Sequence, residues 1–296
     1  MVGAVAGAAR PTMTVLVVGA AGQLGREVVR VAGSVGGVVG LDRSALDVTD
    51  ADAVRAAMSA HRPSVIVNCS AWTDVDGCEL DPDRADLVNA RAVGHLAEAA
   101  AEVDAHLVQV STDFVFDGSP TDGDLVPYPE DHPTAPLNAY GASKLSGEAL
   151  AGPTATVVRT TWLQAADGPG MVGRILAGLA GDGPVELLGD RRACPTFIAD
   201  LVPVLLHLAD ERVPGVVHAV NAGPASWADV GRAVAEVVGA DPTRVVAVDE
   251  ADLGPPRPAR RPVWSALDCG VLRHLGYEPL RHHRDAVAAT VARLAG

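Results

Sequence analysis

Apolar and polar positions along the first half of the chain repeat in a strand, helix, strand, helix order. Thr14 to Val18 read TVLVV, a short β-branched run, and a glycine-rich turn leads into LGREVVRVAG, whose apolar positions recur with the helical period. The alternation continues with VVGL as a strand, DADAVRAAMSAHR as a helix closed by Pro63, VIVN as a strand and DRADLVNARAVGHLAEAAAEV as a long helix. HLVQVS then predicts a strand, Thr112 to Pro136 a long loop, Leu137 to Leu150 a helix and TVVRT another strand. Strands apolar on both faces and separated by helices need a cover on each side. The pattern therefore predicts an α/β fold, a doubly wound parallel sheet of Rossmann type.

Beyond about Trp162 the pattern weakens. Joints rich in glycine and proline (ADGPG, GDGP, LGPPRP) separate short helices from isolated strands such as VVHAV, and the prolines of PPRPARRP predict an extended segment. We expect a dinucleotide-binding domain over 13–165 and a smaller, mainly substrate-binding domain over 166–296, interleaved with the first.

Composition acts mainly by exclusion. A formal charge of -14 over 296 residues speaks against binding a phosphate backbone, so no nucleic-acid partner is expected. Cys69, Cys78, Cys194 and Cys269 are scattered, without Cys-x-x-Cys or nearby His at ligand spacing, so no metal site is expected. No apolar run approaches the roughly 20 residues of a membrane span, and the leader MVGAVAGAARPTM reads as a disordered overhang of a cytoplasmic protein.

Three signals carry chemistry. Gly19-Ala20-Ala21-Gly22-Gln23-Leu24-Gly25 is a G-x-x-G-x-x-G turn opening the first βα unit, where glycines admit a pyrophosphate and the helix start offers free N–H groups; the plainer alternative is a tight turn with no ligand. Asp42 ends the second strand, where a carboxylate can hold ribose hydroxyls, but Arg43 follows and suits a 2′-phosphate. The expected cofactor is NADPH, with NADH as a substitute, against a solvated Asp-Arg turn. Tyr140-Gly141-Ala142-Ser143-Lys144 holds the chain's single lysine, and a spacing of four puts phenol and ammonium on one helix face. There a protonated lysine is expected to lower the phenol's pKa and make it a proton donor. Ser111-Thr112-Asp113 ends the strand HLVQV, where a Thr112 hydroxyl can orient a substrate carbonyl, although hydroxyl residues also cap strand ends. Together these predict a reductase site with Thr112, Tyr140 and Lys144 as its catalytic set.

In GAAGQLG, PSVIVNCSAWTDVD, STDFVFDG, PLNAYGASKLSGE, VVRTTW, CPT and PARRP, in that order and nearly throughout after residue 13, the chain resembles the dTDP-4-dehydrorhamnose reductase family of the extended short-chain dehydrogenases. The resemblance implies NAD(P)H-dependent reduction of the 4-keto group of a dTDP-4-keto-6-deoxyhexose, most directly dTDP-4-dehydrorhamnose to dTDP-rhamnose. It implies that Ser70, Ala71 and Thr73 lie along cofactor and substrate, that Asn89 supports their loop, and that Asp47 and Val48 face the adenine. It also implies that Asp113, Trp162, Thr196 and Arg261 line the sugar-nucleotide pocket. The plainer readings are core packing for Trp162 and a solvated basic loop for Arg260 and Arg261.

Two positions depart from the family pattern. Phe114 stands where tyrosine is common, removing one hydroxyl. Of the glutamates that bridge some family dimers through magnesium, only Glu27 has a counterpart, with Ala199 and Arg293 near the others. A metal-bridged dimer is not expected, and the chain is taken as monomer or homodimer. The alternatives are a 4-ketoreductase for another dTDP-deoxysugar of a secondary-metabolite pathway, a non-catalytic dinucleotide-binding regulatory subunit, and the dehydratase or epimerase branch.

Overall fold

Val15 and Val17 of the first strand point to one side, Leu16 and Val18 to the other, and all four are buried. That double burial is the mark of a sheet covered on both faces. The computed structural model describes residues 13–34, 36–119, 125–165 and 170–295; the leader over 1–12 and most of the ADGPG joint lie outside them. Six parallel strands form the main sheet: β1 (Thr14–Val18), β2 (Gly37–Leu41), β3 (Val65–Asn68), β4 (His106–Thr112), β5 (Thr156–Thr160) and, from far along the chain, β9 (Gly215–His218). Their spatial order is β2-β1-β3-β4-β5-β9.

Helices α1 (Gln23–Ala32) and α8 (Ile198–Asp210) cover one face, where Val15, Val17, Val67, Val108, Val158 and Val217 pack against Val28, Leu201 and Leu205. Helices α2 (Ala51–His61), α5 (Ala92–Glu102) and α6 (Ala139–Ala151) cover the other, with Leu16, Val18, Ile66, Val54, Met58 and Leu96 in its core. Each such side chain contributes about 1.5–3 kcal/mol over leaving it in water. The chain is thus a doubly wound α/β fold.

The long helix predicted over DRADLVNARAVGHLAEAAAEV is three pieces. Helix α4 (Pro82–Asp86) runs into one turn of π-helix, Leu87–Arg91, before α5, and a short helix α3 (Val75–Leu80), not predicted, precedes them. The π turn carries Asn89, whose side chain bonds both backbone groups of Trp72 (2.8 and 3.0 Å) and the Ser143 hydroxyl (3.0 Å). A widened turn at a residue that ties a loop to a neighbouring helix fits the usual placement of such bulges.

Beyond β5, β6 (Leu163–Gln164) pairs with β8 (Thr196–Phe197), and β7 (Val185–Leu188) pairs with β10 (Val245–Val248), all parallel. Helices α7 (Met171–Ala180), α9 (Trp227–Val238) and α11 (His283–Ala295) gather around a separate apolar cluster that includes Ile175, Val234 and Val287. Helix α10 (Gly270–His274) packs at the β9 edge. Among the described residues no helix is long and apolar enough to cross a membrane.

One buried ion pair fastens α6 to the sheet. The Arg159 guanidinium of β5 donates to both carboxylate oxygens of Glu148 at 2.7–3.2 Å, the side chains are 5% and 6% exposed, and the Ser111 hydroxyl donates to the same carboxylate at 2.5 Å. Removing one partner strands the other charge in a dry site. Glu148→Ala is therefore expected to lower the unfolding free energy by about 3–5 kcal/mol, read as a fall in the urea midpoint; an unchanged midpoint would show that the pair carries no such load.

Candidate active site

The chain winds from β1 to β2 in one direction, then returns to place β3 on the other side of β1. The crevice at such a reversal, at the carboxyl ends of the strands, is where open α/β sheets take ligands. Gly19 follows β1 there with φ +77°, and a Cβ on it would lie 2.7 Å from the Ser70 backbone nitrogen, so a side chain is excluded by both strain and space. Helix α1 opens at Gly22 with no side-chain cap and no acid in its first turn, leaving backbone N–H donors and the positive end of the dipole facing the crevice.

Two cavities meet at this point. One, of about 280 Å³, runs along Gly19, Gly22, Asp42, Arg43, Asp47 and Val48; the other, of about 620 Å³, holds Gln23, Leu24, Thr73, Thr112, Asp113, Tyr140, Lys144 and Trp162. Gly22, Cys69, Ser70 and Ala71 line both, so they form one continuous groove.

Helix α6 brings the phenol and ammonium to that groove. Its first turn is capped by the Asn138 carboxamide, which accepts from Gly141 N at 2.8 Å and donates to the Arg260 carbonyl at 2.7 Å. Gly141 lets the helix settle on the turn after β4, because a Cβ there would meet the Phe114 carbonyl oxygen at 2.1 Å. Lys144, buried one turn later, donates from Nζ to the Val110 carbonyl at 2.6 Å. Burial pulls its ammonium down to about 8, partly opposed by Glu148 and the Cys69 thiol.

Tyr140 differs from the sequence-based expectation. Burial, followed by the nearby Asp113 and Cys78, raises its phenol above the ordinary tyrosine value, and only the hydrogen bond with Thr112 acts the other way. The expected lowering by Lys144 is absent: its ammonium is committed to a backbone carbonyl, and desolvation dominates the phenol's balance. Thr112 Oγ1 in turn donates to the Asp113 carboxylate at 3.0 Å and accepts from Phe114 N at 3.2 Å. Phe114 meets the Tyr140 ring edge-on, centroids 5.8 Å apart.

Not every residue singled out in the sequence faces the groove. Gly25 packs the turn against its own helix, where a Cβ would meet Gly19 O at 2.3 Å. Asp42 and Asp47 sit at the groove wall, but each carboxylate is taken up by its own turn, Asp42 by Ser44 and Ala45, Asp47 by Thr49. Thr196 is fully buried, its hydroxyl donating to Cys194 O at 3.0 Å. Arg261 binds Asp76 in a two-pronged ion pair (2.8 and 3.0 Å) and lines a third, smaller cavity, which Trp162 shares with the groove. Trp162 has φ +44°, costly for so bulky a residue, and stacks on Trp227 with centroids 4.2 Å apart. Glu27 pairs with Arg30 at 2.6 Å, and shares a further cleft with Ala199 and Arg293.

The RmlD substrate binding domain family model matches residues 13–295. The chain belongs to that family. Family relatives include a dTDP-4-dehydrorhamnose reductase of Streptomyces griseus, 41% identical over 291 residues, covering 95% of this chain and 94% of that protein. A probable dTDP-4,6-dihydroxy-2-methyloxan-3-one 4-ketoreductase of Streptomyces antibioticus is 42% identical over 278 residues, covering 92% of each. Among solved structures, the dTDP-4-dehydrorhamnose reductase of Bacillus anthracis in complex with NADP superposes with a TM-score of 0.87 at 28% identity, covering 95% of this chain and 99% of that one.

Several groove residues escaped the sequence reading. Cys69 lies immediately after β3, so its position at the strand's end was the available signal, while Arg84, stacked 4.3 Å over the Trp72 ring, and Val88 reach the smaller cavity from the unpredicted break in the long helix. Asp113 is almost fully buried, and burial pushes its carboxyl up to about 6, with the neighbouring Ser265, Thr161 and Thr112 hydroxyls acting the other way. A carboxyl raised from its ordinary 3.8 stabilises the fold when protonated, and that contribution disappears as pH rises through about 6. Asp113→Asn is expected to raise the unfolding free energy at about pH 8 by on the order of 2–3 kcal/mol, with little gain near pH 4. Calorimetric melts at both pH values check this, and equal effects at the two would refute the assignment.

Proposed function

We propose that this protein is a cytoplasmic NADPH-dependent reductase, with NADH as a substitute, of the 4-keto group of a dTDP-4-keto-6-deoxyhexose. The leading substrate is dTDP-4-dehydrorhamnose, reduced to dTDP-rhamnose. The observation that carries the reading is the convergence of Thr112, Tyr140 and Lys144 on one cleft that continues without a break into the glycine-lined groove at the sheet's reversal. The groove suits a dinucleotide: the uncapped start of α1 offers N–H donors to a pyrophosphate, Gly19 leaves room for its approach, and Arg43 stands where a 2′-phosphate would be met.

The nicotinamide, when bound, supplies the hydride. The protein's share is the proton and its control. A phenol held above its ordinary pKa is fully protonated near neutral pH, so Tyr140 enters the reaction loaded, and its Oη gives the proton to the keto oxygen. The Thr112 hydroxyl, bonded to that phenol, fixes its direction and is placed to share the carbonyl. Lys144, one helical turn away and shielded from water, lines the same cleft and would hold the nicotinamide ribose when the cofactor is bound. A second reading, a 4-ketoreductase for another dTDP-deoxysugar, is supported by the 42% identity to the Streptomyces antibioticus protein.

Incubation with several dTDP-4-keto sugars, followed by loss of the reduced-nicotinamide absorbance and NMR of the products, separates the two readings. Tyr140→Phe is expected to cut turnover by about two to four orders of magnitude while leaving the NADPH dissociation constant nearly unchanged. A variant with near-normal rate would remove Tyr140 from the mechanism.

A further inference from the structure

The smaller of the two groove cavities, of about 280 Å³, takes its walls from the loop after β2 and the segment after β3. The strand order β2-β1-β3 puts these on opposite sides of β1, and each side brings an arginine. Arg43 follows Asp42 on the β2 side. Arg84 comes from α4 on the other, and the proton transfer from Tyr140 makes no use of it.

Although Arg84 is exposed, its head is held. The guanidinium carbon lies 4.3 Å from the centroid of the Trp72 ring, so a planar cation rests on an indole. The indole is held in turn. Asn89 bonds both backbone groups of Trp72, and Gly77 of α3 lets the ring pack close, since a Cβ there would come within 2.8 Å of ring atom Cζ2. The Arg84 backbone N–H donates to the Asp81 carboxylate that caps α4, at 3.1 Å. One turn further on, Val88 brings the same helix face to the cavity. The carboxylates of the cavity wall, Asp42 and Asp47, are taken up by their own turns, and among the described residues the Arg84 guanidinium forms no ion pair.

We propose that Arg84, held on its Trp72 shelf, selects the cofactor: with Arg43 from the opposite wall, it takes the 2′-phosphate that NADPH carries and NADH lacks. The inference rests on the reading of the groove as the NADPH site. A guanidinium offers several donors in one plane to phosphate oxygens, and stacking leaves the edge of that plane open to them. A long side chain on the surface loses rotamer freedom when it closes on a ligand. The indole shelf orders Arg84 beforehand and reduces that loss. Leu46, Val48 and Val88 give the same cavity an apolar lining suited to the adenine, which sets the ribose and its phosphate between the two arginines.

Calorimetric titration of NADPH and NADH into the full chain tests this, with 2′,5′-ADP and ADP as truncated probes. In Arg84→Gln the dissociation constants of NADPH and 2′,5′-ADP are expected to rise about five- to tenfold. Those of NADH and ADP, which share the pyrophosphate but lack the 2′-phosphate, should stay nearly unchanged. Trp72→Leu keeps both arginines and removes the shelf, so the preference for NADPH over NADH should shrink about threefold. Loss of fold would weaken both dinucleotides alike, so the ratio of their constants is the quantity to read. Equal weakening of NADPH and NADH by Arg84→Gln, unchanged binding of both, or an unchanged ratio in Trp72→Leu overturns the assignment. If the unmodified protein binds neither dinucleotide, the reductase reading itself falls, and this inference falls with it.

Discussion

Helix α6 grips strand β4 and the turn that follows it at three successive turns, and the position of every reacting group in the cleft depends on that grip. Gly141 rests on the Phe114 carbonyl, Lys144 donates to Val110, and Glu148 takes the Ser111 hydroxyl together with the Arg159 guanidinium. Each contact uses a different interaction: close backbone approach, a charge-assisted hydrogen bond, and a buried ion pair. Just ahead of the first lies Tyr140, whose phenol is thereby set beside Thr112. Precision at the proton donor is what such anchoring secures, since small displacements of a reacting group are expensive in rate.

The same cleft shows how burial and charge divide the work. Desolvation drives the Tyr140 phenol and the Asp113 carboxyl toward their neutral forms and draws the Lys144 ammonium in the same direction. A site kept close to neutral in this way is suited to receive a charged dinucleotide and an anionic sugar nucleotide. The strongly acidic balance of the chain, a net charge of -14, is answered locally by Arg43, Arg191, Arg257 and Arg261, each placed at a cavity wall.

Much of this was legible in the residues. The parallel sheet was readable because its strands are apolar on both faces, and the glycine turn, Thr112 and the Tyr140 to Lys144 spacing fell at strand ends and helix starts, where local pattern is strong. Two kinds of feature were not. The π turn at Leu87–Arg91 answers a tertiary demand, the bond from Asn89 to Trp72, that leaves no mark on helical periodicity. The rise of the Tyr140 phenol depends on how tightly the walls close around it, which spacing cannot reveal. Likewise Arg261 reads as a free cation in sequence, while Asp76, 185 positions away, holds it.

The sheet's last strand comes late. Strand β9, Gly215–His218, pairs with β5 some 55 residues after the preceding strand of the same sheet has ended, with β6, β7 and β8 spent elsewhere in between. A nascent chain that stops short of His218 carries β5 as an open hydrogen-bonding edge, the kind of surface that recruits other chains. Completion of the nucleotide-binding layer is therefore postponed until most of the polypeptide has been synthesised, and during that interval the growing protein is most exposed to misassembly.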